Sequence, residues 1–165
     1  MPSSPTPSTA AAPSTGEPIP PSPVQEDLAA IQRRLRPDFD RMAGKGLLIT
    51  GGAGFLGYYL TRSVVHHNAV TDGPPIDLWV MDNFQRGVPD WLDRFRQVPD
   101  VRWLKHDVIE PVPDEVPDVA YIVHGASIAS PAFYRLHPIE TMDANVRGLR
   151  RLLDYCAERA GGGDP

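Results

Sequence analysis

The stretch Leu47-Leu48-Ile49-Thr50-Gly51-Gly52-Ala53-Gly54-Phe55-Leu56-Gly57 decides the fold. Its first four residues make the short, continuous apolar run expected of a strand buried on both faces. The glycine-rich turn then leads into Leu56, Leu60 and Val64, spaced as one helical stripe. Gly52, Gly54 and Gly57 form G-x-G-x-x-G. One such glycine permits a tight strand-to-helix turn, one lets the backbone approach a pyrophosphate, and one lets helix pack closely on strand. The helix start offers free N–H groups and a positive dipole end to phosphates. An isolated glycine pattern is weak, because glycine turns are common; its position between strand and helix gives it weight.

The second element is Asp82, at the end of a predicted strand over Ile76 to Met81. A carboxylate there accepts hydrogen bonds from the adenosine ribose hydroxyls. It lies 25 residues beyond Gly57, past the usual interval of about 20, and a loop over His66 to Pro75 accounts for the excess. The charge would repel a 2′-phosphate, so NAD is the expected cofactor rather than NADP, with Arg86 the one nearby residue that argues the other way.

The rest of the chain alternates in the same manner. A helix begins with Ser22 as N-cap, Pro23 at its first position and Gln25 completing a capping box. Leu28, Ile31 and Leu35 mark one face, and Pro37 is expected to end it. Beyond the second strand come a short helix over Val88 to Arg96, a third strand over Val101 to Leu104, and a fourth over Val119 to Val123. The last helix is marked by Ile139, Met142, Val146, Leu149, Leu153 and Cys156, with Gly161-Gly162-Gly163 to close it. Strand–helix alternation with apolar strands means an α/β, Rossmann-type, doubly wound parallel sheet, here its first four strands.

The chain has 165 residues and a net charge of −5 from 16 basic and 21 acidic side chains. This balance, without a basic cluster, argues against nucleic acid or an anionic membrane as partner. No apolar run approaches the roughly 18 residues of a membrane span. No Lys or Arg precedes Arg33, which argues against a secretory or transit leader. Cys156 is the single cysteine, consistent with a reducing compartment. Together these point to a cytoplasmic protein. Eight of the 19 prolines fall within the first 23 residues, so 1–21 reads as a disordered Pro/Ser/Thr/Ala tail. Residues 22–43 read as a helical segment, and 44–165 as the cofactor-binding portion.

With these residues in view, the chain resembles the extended short-chain dehydrogenase/reductases, the NAD-dependent epimerases, dehydratases and decarboxylases of nucleotide sugars. The resemblance is carried by TGGAGFLG at Thr50 to Gly57, MDNFQRG at Met81 to Gly87, HDV at His106 to Val108, HGAS at His124 to Ser127, and PIETMDANVRG at Pro138 to Gly148. Within the family, HDVIEP followed by HGASIASPAFYRLHPIET is most similar to UDP-glucuronate decarboxylases. Ile128 and Phe133 depart from their usual Pro and Asn. Other members, 4,6-dehydratases and 4-epimerases, remain alternatives, as does a non-catalytic dinucleotide-binding module.

The resemblance implies that Gly51, Gly54, Phe55, Leu56 and Gly57 cradle the pyrophosphate, and that Asp82, Asn83, Phe84 and Gly87 hold the adenosine ribose. Asp107 and Val108 would flank the adenine. Gly125, Ala126 and Ser127 would lie beside the nicotinamide half, with Asn145 supporting. Ser130, Pro131 and Tyr134 match the loop that faces a nucleotide sugar, a UDP-sugar above all. Family members are commonly homodimers through helices that include the last one here.

Other residues carry ordinary readings. His124 closes a strand and reads as a packing residue. His66 and His67 are adjacent, so on a helix they diverge and make no metal site. Cys156 reads as core. Gly148, inside a helix, costs about 1 kcal/mol against alanine, so something is expected to pack closely there. Tyr134 lacks a lysine four residues on, where Pro138 stands. The family's chemistry uses Tyr-x-x-x-Lys, in which the lysine lowers the tyrosine pKa so that it takes the proton of the sugar 4-hydroxyl. No such pair occurs in the 165 residues. The chain is therefore expected to be the N-terminal, cofactor-binding part of a longer enzyme, to bind NAD weakly or not at all by itself, and to lack turnover.

Overall fold

A computed structural model describes residues 22–160; the proline-rich tail and the closing glycine run lie outside these residues. The chain forms helix α1 (Pro23–Met42), strand β1 (Gly46–Thr50), helix α2 (Phe55–Val70), strand β2 (Asp77–Asp82), helix α3 (Leu92–Phe95), strands β3 (Val101–Lys105) and β4 (Tyr121–His124), and helices α4 (Pro131–Leu136) and α5 (Pro138–Ala160). The four strands are all parallel in the order β3-β2-β1-β4.

Side-chain alternation divides the core into two layers. Leu47, Ile49, Leu78 and Val80 point to one face, where they meet Phe39 of α1 and Val64 of α2. Leu48, Trp79 and Met81 point to the other, against Val108, Val116 and the α5 residues Leu152 and Tyr155. Because both faces of β1 and β2 are covered, their sequences read as unbroken apolar runs rather than alternating ones. Thr50 is the polar exception in β1, and it is buried.

Helix α1 starts as its sequence dictates. The Ser22 side chain accepts from the Gln25 N–H, and the Gln25 side chain accepts from the Ser22 N–H. It does not end at Pro37, however, but continues through it to Met42. The reason is tertiary. Phe39 is buried and stacks on His67 of α2 with ring centroids 4.6 Å apart, and that packing offsets the missing N–H of the proline.

Two apolar stripes also face differently from expectation. In α2 the buried positions include Gly57, Thr61, Val64 and His67, whereas Leu56 and Leu60 are exposed. Gly57 sets this rotation, because a Cβ there would sit 2.4 Å from the Gly51 carbonyl oxygen. The smallest residue must therefore face the strand, and the leucines are turned away. In α5 the stripe Ile139, Met142, Val146, Leu149 and Leu153 is exposed, and so is Cys156, which is not core. The helix presents Gly148, Leu152 and Tyr155 to the sheet instead. A Cβ on Gly148 would meet Val108 Cγ1 at 2.7 Å, which is the close contact its position called for.

Helix α2 runs to Val70, so His66 to Val70 are helical, and the excess length before Asp82 is only partly loop. Helix α3 is a single turn, much shorter than Val88 to Arg96. Strand β4 starts two residues later than expected, at Tyr121.

Candidate functional site

The glycine turn joins β1 to α2 at the carboxyl edge of the sheet, and packing explains most of its glycines. Gly51 has φ +71°, and a Cβ on it would lie 2.6 Å from the Gly125–Ala126 backbone. A Cβ on Gly52 would collide with Val80 Cγ1. Gly54 is different. It is exposed, and the nearest atom to an added Cβ is the Gly51 carbonyl oxygen of its own turn, 3.2 Å away. Nothing else in the described fold needs the space, which is left open for close approach from outside. Gly54 is also the N-cap of α2 and brings no side-chain acceptor to the helix start. The N–H groups of the first turn therefore point outward under the helix dipole. Phe55 and Leu56, the first two helical residues, are exposed.

Asp82, at the end of β2, is half-buried and braces this turn. Its Oδ2 accepts the Ala53 N–H at 2.9 Å, and its Oδ1 accepts the Phe84 N–H at 2.7 Å. Each carboxylate oxygen has a second lone pair free. The second bond bends the chain sharply, and Phe84 sits at φ +55°, the one left-handed non-glycine among the described residues. Asn83 donates to Asp107 Oδ2 at 3.0 Å and accepts from the Gln85 N–H, tying the segment after β2 to the segment after β3. Asp107 in turn accepts the Ile109 N–H. Val108 is buried with its side chain in the core. Gly87, at φ +88°, has nothing within 4 Å of an added Cβ.

On the other side of β1, the end of β4 is held by a residue that the sequence reading passed over. The Thr50 hydroxyl accepts the N–H groups of Gly125 and Ala126 at 3.2 and 3.3 Å, and pairs with His124 Nδ1 at 2.9 Å. With its acceptor sites taken by two amides, the hydroxyl has its proton to give to His124, so Nδ1 is the unprotonated nitrogen. Burial pushes the His124 pKa down, and the nearby Ala144 carbonyl opposes this only in part. The signal for Thr50 was present in the sequence: one polar residue closing an otherwise apolar strand. Asn145 on α5 donates to Ser127 Oγ at 2.9 Å and to the Thr141 carbonyl.

Gly51 to Gly57, Asp82 to Gly87, Asp107 and Val108, and Gly125 to Ser127 thus lie at the carboxyl ends of four adjacent strands, with Asn145 hydrogen-bonded to the last of them. Ser130, Pro131 and Tyr134 follow on α4, where Ser130 is the N-cap and Tyr134 is exposed. Among the described residues no three His, Cys, Asp or Glu side chains gather as a metal site, and no helix is long and apolar enough to cross a membrane. A crevice beyond the strand ends, where β1 is flanked by β2 and β4, is where open α/β sheets bind ligands. The open space at Gly54, the outward helix N–H groups and the acidic residue at the end of β2 fit a dinucleotide with its pyrophosphate over the turn.

Comparison with known proteins agrees. A UDP-glucuronic acid decarboxylase of Arabidopsis thaliana is 35% identical over 115 residues, 70% of this chain and 31% of that protein. One from Danio rerio is 37% identical over 121 residues, 71% and 25% of the two chains. A dTDP-glucose 4,6-dehydratase from Streptomyces venezuelae, solved with NAD and TYD bound, superposes with a TM-score of 0.60 at 29% identity, covering 72% of this chain and 37% of that one. The chain spans about a third or less of the length of these decarboxylases. The pattern of one family matches residues 47–162, a span that takes in strands β2 to β4 and helices α2 to α5. By that match and by the turn it shares, this chain belongs to the NAD dependent epimerase/dehydratase family.

Proposed function

We propose that the chain is the cofactor-holding part of a nucleotide-sugar-modifying enzyme whose reaction is the decarboxylation of UDP-glucuronate. The observation that carries the cofactor-holding role is the pairing of Asp82 with the Ala53 amide beside an open Gly54. In this reading Gly51, Gly54, Phe55, Leu56 and Gly57 receive the pyrophosphate through main-chain N–H groups. Asp82 accepts from the ribose hydroxyls with its free lone pairs, while Asn83, Phe84 and Gly87 shape the ribose loop. Asp107 and the Val108 main chain border the adenine. Gly125, Ala126 and Ser127, stapled by Thr50 and Asn145, border the nicotinamide half. Ser130, Pro131 and Tyr134 face the UDP-sugar. When bound, NAD supplies a hydride acceptor; the residues described here bind and orient it.

The similarity to named UDP-glucuronic acid decarboxylases supports the substrate. The likeness to a dTDP-glucose 4,6-dehydratase favours the second reading, water elimination from a nucleotide sugar. The exposed apolar stripe of α5 supports homodimerisation of the whole enzyme.

Calorimetric titration with NAD tests the cofactor role: the chain binds weakly, and Asp82→Ala binds at least tenfold more weakly still. The same chain, lacking any Tyr-x-x-x-Lys, releases no carbon dioxide from UDP-glucuronate. Measurable release would overturn its reading as the cofactor-holding part alone.

A further inference from the structure

The segment between β2 and α3 is fastened at both ends and free in the middle. Asp82 fixes its start. At its far end Trp91 packs edge-on against Tyr58 of α2, with centroids 4.9 Å apart, and Leu92 is fully buried. Between them Gln85, Arg86, Gly87 and Val88 are exposed, and the tip is folded by two local bonds, the Gln85 N–H donating to Asn83 Oδ1 and the Gly87 N–H donating to the Phe84 carbonyl. Across the sheet edge, α4 is equally thinly held: none of its residues is buried. These two segments meet. The Arg86 guanidinium lies over the Phe133 ring, 5.5 Å from its centroid.

The topology makes this contact consequential. Arg86 leaves the end of β2, and Phe133 follows the end of β4. Those are the two strands that flank β1. Any contact between them spans the carboxyl end of β1, where the glycine turn begins. Two strand spacings, about 10 Å, are bridged by the pair. Among the described residues Arg86 has no carboxylate within 4.0 Å, so the ring is the partner recorded for its charge.

We propose that Arg86 and Phe133 form a clasp across the dinucleotide groove, which must part for the cofactor to enter or leave. The inference rests on the dinucleotide reading above and adds to it a gate made of two residues to which that reading assigns no cofactor contact. A clasp differs from a binding contact in its kinetics. It is closed with and without cofactor, so it slows arrival and departure together and leaves the equilibrium constant nearly unchanged.

The test is stopped-flow binding of NADH, followed by its own fluorescence. Phe133→Ala and Arg86→Ala should each raise association and dissociation rates by about two- to fivefold, the scale of one exposed cation–π contact. The dissociation constant should hold within about twofold. The double variant should match either single one, since both remove the same contact, and Phe133→Tyr should behave as wild type. Faster dissociation with unchanged association would make the pair an ordinary binding contact and overturn the proposal, as would unchanged rates. If wild type bound no NADH, the dinucleotide reading would fail and the gate with it. Hydrogen exchange of the ligand-free protein separates the cases. A real clasp raises exchange at Gly87 in Phe133→Ala, whereas unchanged exchange there overturns the contact itself.

Discussion

The Asp82 carboxylate accepts the Ala53 N–H at 2.9 Å, tying the end of β2 to the tip of the glycine turn that follows β1. The same carboxylate accepts the Phe84 N–H, so it holds two loops before any ligand arrives. Its replacement therefore has a structural cost separate from its binding cost. Asp82→Ala leaves two amides without their acceptor and should lower stability by about 1–3 kcal/mol. Asp82→Asn, which keeps one acceptor oxygen, should lose less. Urea denaturation of both variants measures the difference.

Two glycines of one turn should answer differently to alanine. At Gly57 the new methyl would sit 2.4 Å from the Gly51 carbonyl oxygen, an overpacking that costs typically 1–3 kcal/mol. At Gly54 the φ of −78° suits any residue, and the methyl meets only open space and the turn's own oxygen. Gly54→Ala should leave the thermal midpoint within a few degrees of wild type while weakening NAD binding by tenfold or more. Calorimetry of both variants, with and without NAD, distinguishes a packing glycine from a ligand-facing one.

Thr50 is expected to matter through its oxygen alone. Thr50→Val keeps the shape but leaves the Gly125 and Ala126 amides and His124 Nδ1 without the hydroxyl. A loss of about 1–3 kcal/mol should follow, with Thr50→Ser recovering most of it. The Gly125 N–H keeps a second acceptor in the Thr50 carbonyl, so Ala126 should show the larger rise in amide exchange.

Acid should weaken the fold through two histidines. Burial pushes His67 below its ordinary value of 6.5; Asp40 opposes the shift and His66 adds to it. Burial likewise lowers His124. A histidine whose pKa is lower in the folded chain than in the unfolded one favours folding in its neutral form. That contribution is whole above pH 6.5 and is lost as pH falls below it through the folded-state values. His67 also pairs through Nδ1 with Gln32 of α1, 2.9 Å away, so acid should loosen the α1–α2 contact first. Urea midpoints measured from pH 7.5 down to 5.5 should fall, and His67→Gln should flatten the descent.

Local rules made much of this legible beforehand. The capping box at Ser22, the buried run ending at Thr50, the glycine spacing and the acid at the end of β2 all follow from residue chemistry within a few positions. Pro37 misled because proline's cost is local, whereas Phe39, which sits in a core built from four other elements, is what keeps α1 going. Leu56 and Leu60 misled because periodicity reports a stripe without its direction. The contact between Gly57 and Gly51, which join different elements, turned these two leucines outward while Val64 stayed in the core.

By itself the sequence determined the α/β alternation, the parallel sheet and the position of the cradle, since these depend on apolar period and on which residues tolerate a tight turn. Tertiary structure alone decided which face of each helix is buried, that Thr50 staples the end of β4, and that Arg86 reaches Phe133. The last two of these join residues 47 to 76 positions apart in the chain. They exist only once parallel strands have brought β2, β1 and β4 side by side, and no local preference encodes that distance.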